Sequence, residues 1–204
     1  MQESDTFQKT NNLVMGLLEV EADVEESDAG VIALGVAMRD RTNAGELILE
    51  QLYDQYAHAL FRYAVSLLNS AEDAEDAVQE VFVKIARGHR RVGRIRNLKA
   101  YLFTATRNAS YTLLRSRKRG ENLHEELCSD YLTRPAAGDE LKSDAICKGF
   151  ATLPIEQREV LVLHIYDGLT FKEIAKTIGS SISTVTSRYR YGIEKLRKTL
   201  DLRP

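Results

Sequence analysis

The sequence predicts an all-α fold of two small helical domains joined by a flexible linker, and three observations carry that prediction. No stretch of useful length alternates apolar and polar residues as a half-buried strand would, whereas apolar residues recur at helical spacing through most of the chain. The three prolines are Pro135, Pro154 and Pro204, so long helices are unbroken through the first two thirds. Between about residues 120 and 143 the periodicity lapses, and glycine, proline and mixed charges enter. With 44% hydrophobic residues, the flanking segments carry enough apolar surface for compact cores.

In chain order, residues 1–27 read as a mobile acidic extension, within which LVMGLL (13–18) could form a short helix. A first helical domain is expected over 28–119. It starts with a helix over about 28–39, followed by one over 44–69 that places Leu47, Leu52, Tyr56, Leu60, Tyr63 and Leu67 near one face. Asn69-Ser70 breaks that helix, and Ser70 caps the next, over 71–87, whose first turn carries Glu72, Asp73, Glu75 and Asp76. Acids there suit the positive end of the helix dipole. A basic turn, Gly88–Arg96, leads to a helix over 97–118. After the linker at 120–143, a second domain spans 144–204, with Pro154 placed at the first position of its opening helix and Gly168 at that helix's end.

Net charge is −2, which as an average argues against a polyanion partner. The distribution argues for one. Residues 1–27 carry seven acids and one lysine, a net of −6. Residues 87–119 carry eleven Lys/Arg and no acid, a net of +11. Such a block is either a solvated basic face or a nucleic-acid contact, and binding a polyanion would relieve its self-repulsion. Within it, Tyr101, Phe103 and Tyr111 interleave with Arg107, Asn108 and Arg115. Rings that stack on bases, between cations that follow the backbone, suit single-stranded DNA, with Phe103 the first candidate for a core role instead.

Residues 170–199 read as a helix-turn-helix. Thr170 and Glu173 form a capping box, Gly179 suits a left-handed C-cap, and Ser181 can cap the second helix. That helix offers Ser183, Thr184, Thr186, Ser187, Arg188 and Arg190 to phosphates and base edges. A solvated helical hairpin is the plainer alternative for this segment taken alone.

Enzyme and metal classes find no support. The histidines His58, His89, His124 and His164 are scattered without a nucleophile, His124 and Cys128 lack the further ligands of a zinc set, and there is no phosphate-binding Gly-rich loop. No cofactor is expected. The acidic start does not resemble a signal peptide, the apolar runs are too short for a membrane span, and the two cysteines suggest no disulfide framework. A soluble, cytoplasmic protein is expected.

Three segments in order, SAEDAEDAVQEVFVKIAR (70–87), NLKAYLFTATRNASYTLLRSRKR (97–119) and LPIEQREVLVLHIYDGLTFKEIAKTIGSSISTVTSR (153–188), resemble regions 2.2, 2.3–2.4 and 4 of the extracytoplasmic-function (ECF) sigma factors, the minimal branch of the sigma-70 family. The resemblance covers about residues 28–200. It implies a promoter-specificity subunit that binds core bacterial RNA polymerase, recognises −35 and −10 promoter elements and supports DNA melting.

By this resemblance Asp73, Asp76, Gln79, Glu80 and Phe82 dock on the clamp helices of the largest polymerase subunit. Tyr101, Arg107, Asn108, Tyr111, Arg115, Arg117, Lys118 and Arg119 contact −10 DNA, and the six residues of the second helix of the helix-turn-helix contact −35 DNA. Further implied partners are the flap of the second-largest subunit and, left open, an anti-sigma factor, with the free protein a monomer. The sequence departs from the family pattern at Tyr101 (often Trp), Tyr111-Thr112 (Ile-Asp), Ser183-Thr184-Val185 (Gly-Thr-Val) and Tyr191-Gly192 (Arg-Ala), changes that bear on promoter sequence more than on class. The rival reading is a helix-turn-helix regulator that acts without core polymerase. A third is a polymerase-binding adaptor whose DNA surfaces have decayed.

Overall fold

A computed structural model describes residues 44–92, 95, 97–117 and 148–200. The expected acidic extension, the helix over 28–39 and the linker at 120–143 lie outside the described residues, as do His124 and Cys128. Among the described residues the ordered elements are helical.

Helix α1, Ala44–Leu68, buries Leu52, Tyr56, Leu60, Tyr63 and Leu67 of the stripe its periodicity predicts, the side chain of Leu47 lying outside the described ones. It stops where Asn69 turns into the left-handed region at φ 51°, a conformation that asparagine tolerates better than most residues. The Ser70 hydroxyl then accepts from the Asp73 N–H at 3.3 Å and starts α2, Ala71–Val92. Helix α2 buries Ala74, Ala77, Val78, Val81, Phe82 and Ile85 against the rest of this unit.

Helix α2 runs past the expected end at 87, through Gly88 and into the stretch read as a basic turn. One glycine costs a helix only about 1 kcal/mol, and the arginines beyond it are strong helix formers. Helix α3, Leu98–Arg117, is capped by Asn97, whose Oδ1 accepts from the Ala100 N–H at 2.8 Å.

The second unit holds α4 (Ile155–Ile165), α5 (Phe171–Ile178) and α6 (Ile182–Thr199). Pro154 sits at the N-cap of α4, one position before the expected one. Gly168 takes a φ of 65° just beyond its end. The capping box is formed in both directions, with Thr170 accepting from the Glu173 N–H and Glu173 from the Thr170 N–H. Gly179 closes α5 in the left-handed conformation. Ser181 then caps α6 by accepting from the Thr184 N–H at 3.1 Å.

Gly192 has a packing role that its sequence context did not reveal. It is buried in α6, and a Cβ there would lie 2.9 Å from Leu161 Cδ1 and 3.3 Å from Leu161 Cγ on α4. Leu161 is itself fully buried and has little room to withdraw. The propensity given up by a mid-helix glycine is therefore exchanged for close contact between α4 and α6.

Helices α1, α2 and α3 pack on one another, and α6 rests on α4 and α5. The two units also meet, with α1 lying along α4 and α3 along α5. Their buried apolar side chains form one connected cluster.

Candidate nucleic-acid and polymerase interfaces

On α2, spacings of three and four residues bring Asp73, Asp76 and Glu80 to one side. Asp76, Gln79 and Glu80 are exposed, while Asp73 is half-buried near the Ser70 cap. Glu80 pairs with Lys84 one turn on, an exposed pair worth only a few tenths of a kcal/mol. Phe82 is on the other side, 7% exposed, with its ring 5.0 Å from the half-exposed ring of Tyr53. It is a core residue whose edge reaches an apolar strip completed by Tyr53 and Val83.

On α3, the seven-residue spacing puts Tyr101, Asn108 and Arg115 on one exposed face. Phe103 is fully buried and meets Tyr63 edge-on at 5.4 Å, the core role anticipated for it. Arg107 and Tyr111 occupy the flank that faces the second unit. The Arg107 guanidinium lies 4.4 Å from the Tyr111 ring centroid, and its Nε donates to Glu159 Oε1 of α4 at 2.7 Å. Arg117 ends the helix, and Lys118 and Arg119 lie outside the described residues. On α6, Ser183, Thr186, Ser187 and Arg190 are exposed, and Thr184 and Arg188 are half-exposed. The Ser181 hydroxyl is shared with those of Ser183 and Thr184, each at 2.8 Å. Exposed Ile182 and Tyr191 join this surface, and Arg190 lies over the Tyr191 ring at 5.1 Å.

Five residues at the junction of the units, Arg62, Asn97, Glu159, Tyr166 and Asp167, were not singled out by sequence. Glu159, fully buried, accepts from Tyr63 Oη at 2.8 Å as well as from Arg107. Asp167, also buried, accepts from Arg62 at 2.6 Å, and the same guanidinium lies 5.4 Å from the Tyr166 ring. Asn97 donates to Glu173 at 3.2 Å, so the caps of α3 and α5 touch. The one available signal was a lone charge within an apolar helical run, Arg62 in ALFRYAVSLL and Glu159 in EVLVLHI.

The electrostatics follow from burial. Desolvation and the adjacent Glu159 carboxylate push the Tyr63 hydroxyl well above its ordinary value. Partial burial would raise Glu173, but hydrogen bonds from the Thr170 N–H, the Thr170 hydroxyl and the Asn97 amide outweigh it and hold the carboxyl low. Burial raises Asp167 from 3.8 to about 6 despite Arg62 beside it. The folded protein thus binds this proton more tightly than the unfolded chain. The contribution to stability is full below the unfolded value and is lost as pH rises through about 6. Two pKa units correspond to about 3 kcal/mol. The stability difference between wild type and Asp167→Asn, measured by denaturant titration, should therefore shift against the wild type between pH 4 and 7. A pH-independent difference would contradict this account.

Among the described residues no group of three or more metal-binding side chains occurs, and no helix is long and apolar enough to cross a membrane.

Family comparisons agree with this arrangement. The model of Sigma-70 region 2 matches residues 52–120 and that of Sigma-70 region 4 matches residues 149–198. The chain is 32% identical over 158 residues to the ECF RNA polymerase sigma factor SigL of Mycobacterium tuberculosis, covering 75% of this chain and 89% of the relative. It is 30% identical over 187 residues to SigE of Mycolicibacterium smegmatis, covering 87% and 70%. Among solved structures, the sigma factor RpoE of Bartonella quintana, crystallised with the anti-sigma factor NepR, superposes with a TM-score of 0.65 at 26% identity, over 76% of this chain and 98% of that one. CnrH, solved with the cytosolic domain of CnrY, shares the fold at a TM-score of 0.60 and 23% identity, over 85% and 98%. With regions 2 and 4 in order and relatives matched along most of their length, the chain belongs to the ECF sigma factors of the sigma-70 family, DNA-binding factors of transcription initiation.

Proposed function

We propose that the protein is a promoter-specificity subunit of bacterial RNA polymerase, acting in the cytoplasm by binding rather than by covalent chemistry. Its two units correspond to a region 2 domain (28–119) and a region 4 domain (144–204) tethered by 120–143. In this reading the face of α2 carrying Asp73, Asp76, Gln79 and Glu80 docks on the clamp helices of the largest subunit, Phe82 supports it from the opposite, core-facing side of the helix, and region 4 meets the flap of the second-largest subunit. Helix α3 and the residues after it, Tyr101 to Arg119, hold the melted −10 strand. Helix α6 reads the −35 duplex through Ser183, Thr184, Thr186, Ser187, Arg188 and Arg190.

The observation that carries the reading is the pairing of two surfaces in one family member. An exposed acidic face on α2 has no use in a regulator that works without polymerase, and it accompanies a capped helix-turn-helix with a hydroxyl- and arginine-rich second helix. The reading extends to an anti-sigma partner, on the strength of the Bartonella relative's complex with NepR.

Capture of core RNA polymerase by the purified chain, followed by run-off transcription from promoters mapped by 5′-end sequencing, tests this. A regulator acting without polymerase would fail the first step. On a mapped promoter, Arg188→Ala should weaken −35 binding by about 1–3 kcal/mol if it contacts a base, or reduce the salt slope if it contacts a phosphate. Unchanged affinity together with an unchanged slope would remove Arg188 from the interface.

A further inference from the structure

We infer that Tyr191 and Ile182 read thymine methyl groups in the duplex met by α6, so that two apolar side chains set part of its sequence preference. Neither is among the six polar residues assigned to that helix above, and the inference rests on the proposed role of α6 in reading the −35 duplex. Five large hydrophobic side chains are exposed among the described residues, and two of them, Ile182 and Tyr191, each 51% exposed, are on α6. Helical spacing puts both on its outward side. Steps of four residues make one row of Ile182, Thr186 and Arg190 and a neighbouring row of Ser183, Ser187 and Tyr191. All six are exposed, and the opposite side of the helix is buried through Val185, Tyr189, Gly192, Ile193 and Leu196.

A single exposed apolar side chain on a protein surface is ordinary. Here two are set among hydroxyls and guanidinium groups, on the surface that meets base edges. Serine and threonine hydroxyls donate or accept, so they discriminate poorly between bases. Thymine alone of the four bases presents an apolar group in the major groove, its methyl. An aromatic ring or a branched aliphatic chain on this surface is matched by that methyl.

Tyr191 is the stronger reader, because its ring is positioned before DNA arrives. The Arg190 guanidinium lies 5.1 Å from the ring centroid, within cation–π range, and one of its N–H groups is 3.4 Å from the Tyr191 hydroxyl. A side chain already held gives up less rotamer freedom on binding. Ile182 is the first residue of α6, just after the Ser181 cap, and the N-terminal part of such a helix is where base edges are met. The two positions are about 14 Å apart along the helix axis, so they meet different base pairs. Tyr191 also departs from the family pattern, which makes the thymine it reads a preference of this chain.

The test starts by selecting duplexes with a randomised window, using the full-length chain both alone and loaded on core RNA polymerase. Wild type should enrich thymine at two positions. Tyr191→Ala should lose the preference at one of them and Ile182→Ala at the other. Both side chains are exposed, and far-UV circular dichroism checks that the variants fold. Fluorescence anisotropy then compares the selected duplex with copies in which either thymine is replaced by deoxyuridine, which removes the methyl and keeps every hydrogen-bonding group. At the Tyr191 position this replacement should weaken wild type about fourfold, the worth of burying one methyl. Tyr191→Ala should not respond to it, whereas Tyr191→Phe, which keeps the ring, should respond as wild type does.

Equal affinity of wild type for the thymine and deoxyuridine duplexes would overturn the methyl reading while leaving the DNA-binding role of α6 in place. Equal losses on both duplexes in Tyr191→Ala would overturn it too, by making the ring a contact to the DNA backbone. Enrichment of no sequence by wild type, alone or on polymerase, would overturn the role of α6 itself and the thymine reading with it.

Discussion

Reversing charge at two positions of α2, as Asp76→Lys with Glu80→Lys, should lower affinity for core RNA polymerase by about a hundredfold. Truncating charges that become buried in an interface costs 2–5 kcal/mol, and about 2.8 kcal/mol is a hundredfold. Both side chains are exposed and lie opposite the buried stripe of α2, so the fold has little to lose. The internal partner broken is Lys84, on the same helix. Titration of fluorescently labelled chain against core enzyme checks the effect, with denaturant midpoints alongside. An affinity within twofold of wild type, with stability unchanged, would sink the assignment of this face to polymerase.

The largest effect on stability is expected at Tyr189. Its ring is 2% exposed and is held edge-on to His164 at 4.9 Å and tilted against Phe171 at 5.2 Å. It joins α6 to both α4 and α5, so Tyr189→Ala removes the side chain on which the helix-turn-helix is seated. Aromatic-to-alanine changes in cores cost about 3–5 kcal/mol, a large part of what a small helical unit has. The denaturant midpoint of the full chain should fall accordingly, and −35 binding should go with it although the side chain faces inward. A loss below about 1 kcal/mol would mean that α6 is held mainly elsewhere, by Val185, Ile193 and Leu196.

The features legible in the sequence are those decided by neighbours in the chain. The Thr170–Glu173 box, the Gly179 stop and the Ser181 cap each need only three or four residues to be specified, and each is present. The buried stripe of α1 was legible because periodicity alone reports it. The end of α2 was misjudged at Gly88, since one glycine and a run of arginines read as a turn but cost a helix little. The joint between the regions was not legible at all. Arg62 and Asp167 are 105 residues apart, Tyr63 and Glu159 are 96 apart, and Arg107 and Glu159 are 52 apart. No local spacing connects such residues, and a lone buried charge names no partner. Arg107 shows the consequence for the candidate site. Its chemistry suggested DNA, but its environment is a carboxylate on another element.

Gly192 bears on how the DNA-reading surface proposed for α6 could diversify. Because the backbone of α6 comes down onto Leu161 at this point, the distance from α4 to the outer face of α6 is set by an atom that is not there. Any side chain at 192 would push α6 outward or tilt it, and Ser187 and Arg188, just over one turn away, would move with it. New base preferences can then be reached by exchanging outward residues such as Ser183 or Ser187 one at a time, while the depth at which the helix meets a groove stays constant. A substitution at position 192 would instead change the angle of every contact together, altering the footprint on DNA rather than the letters read within it.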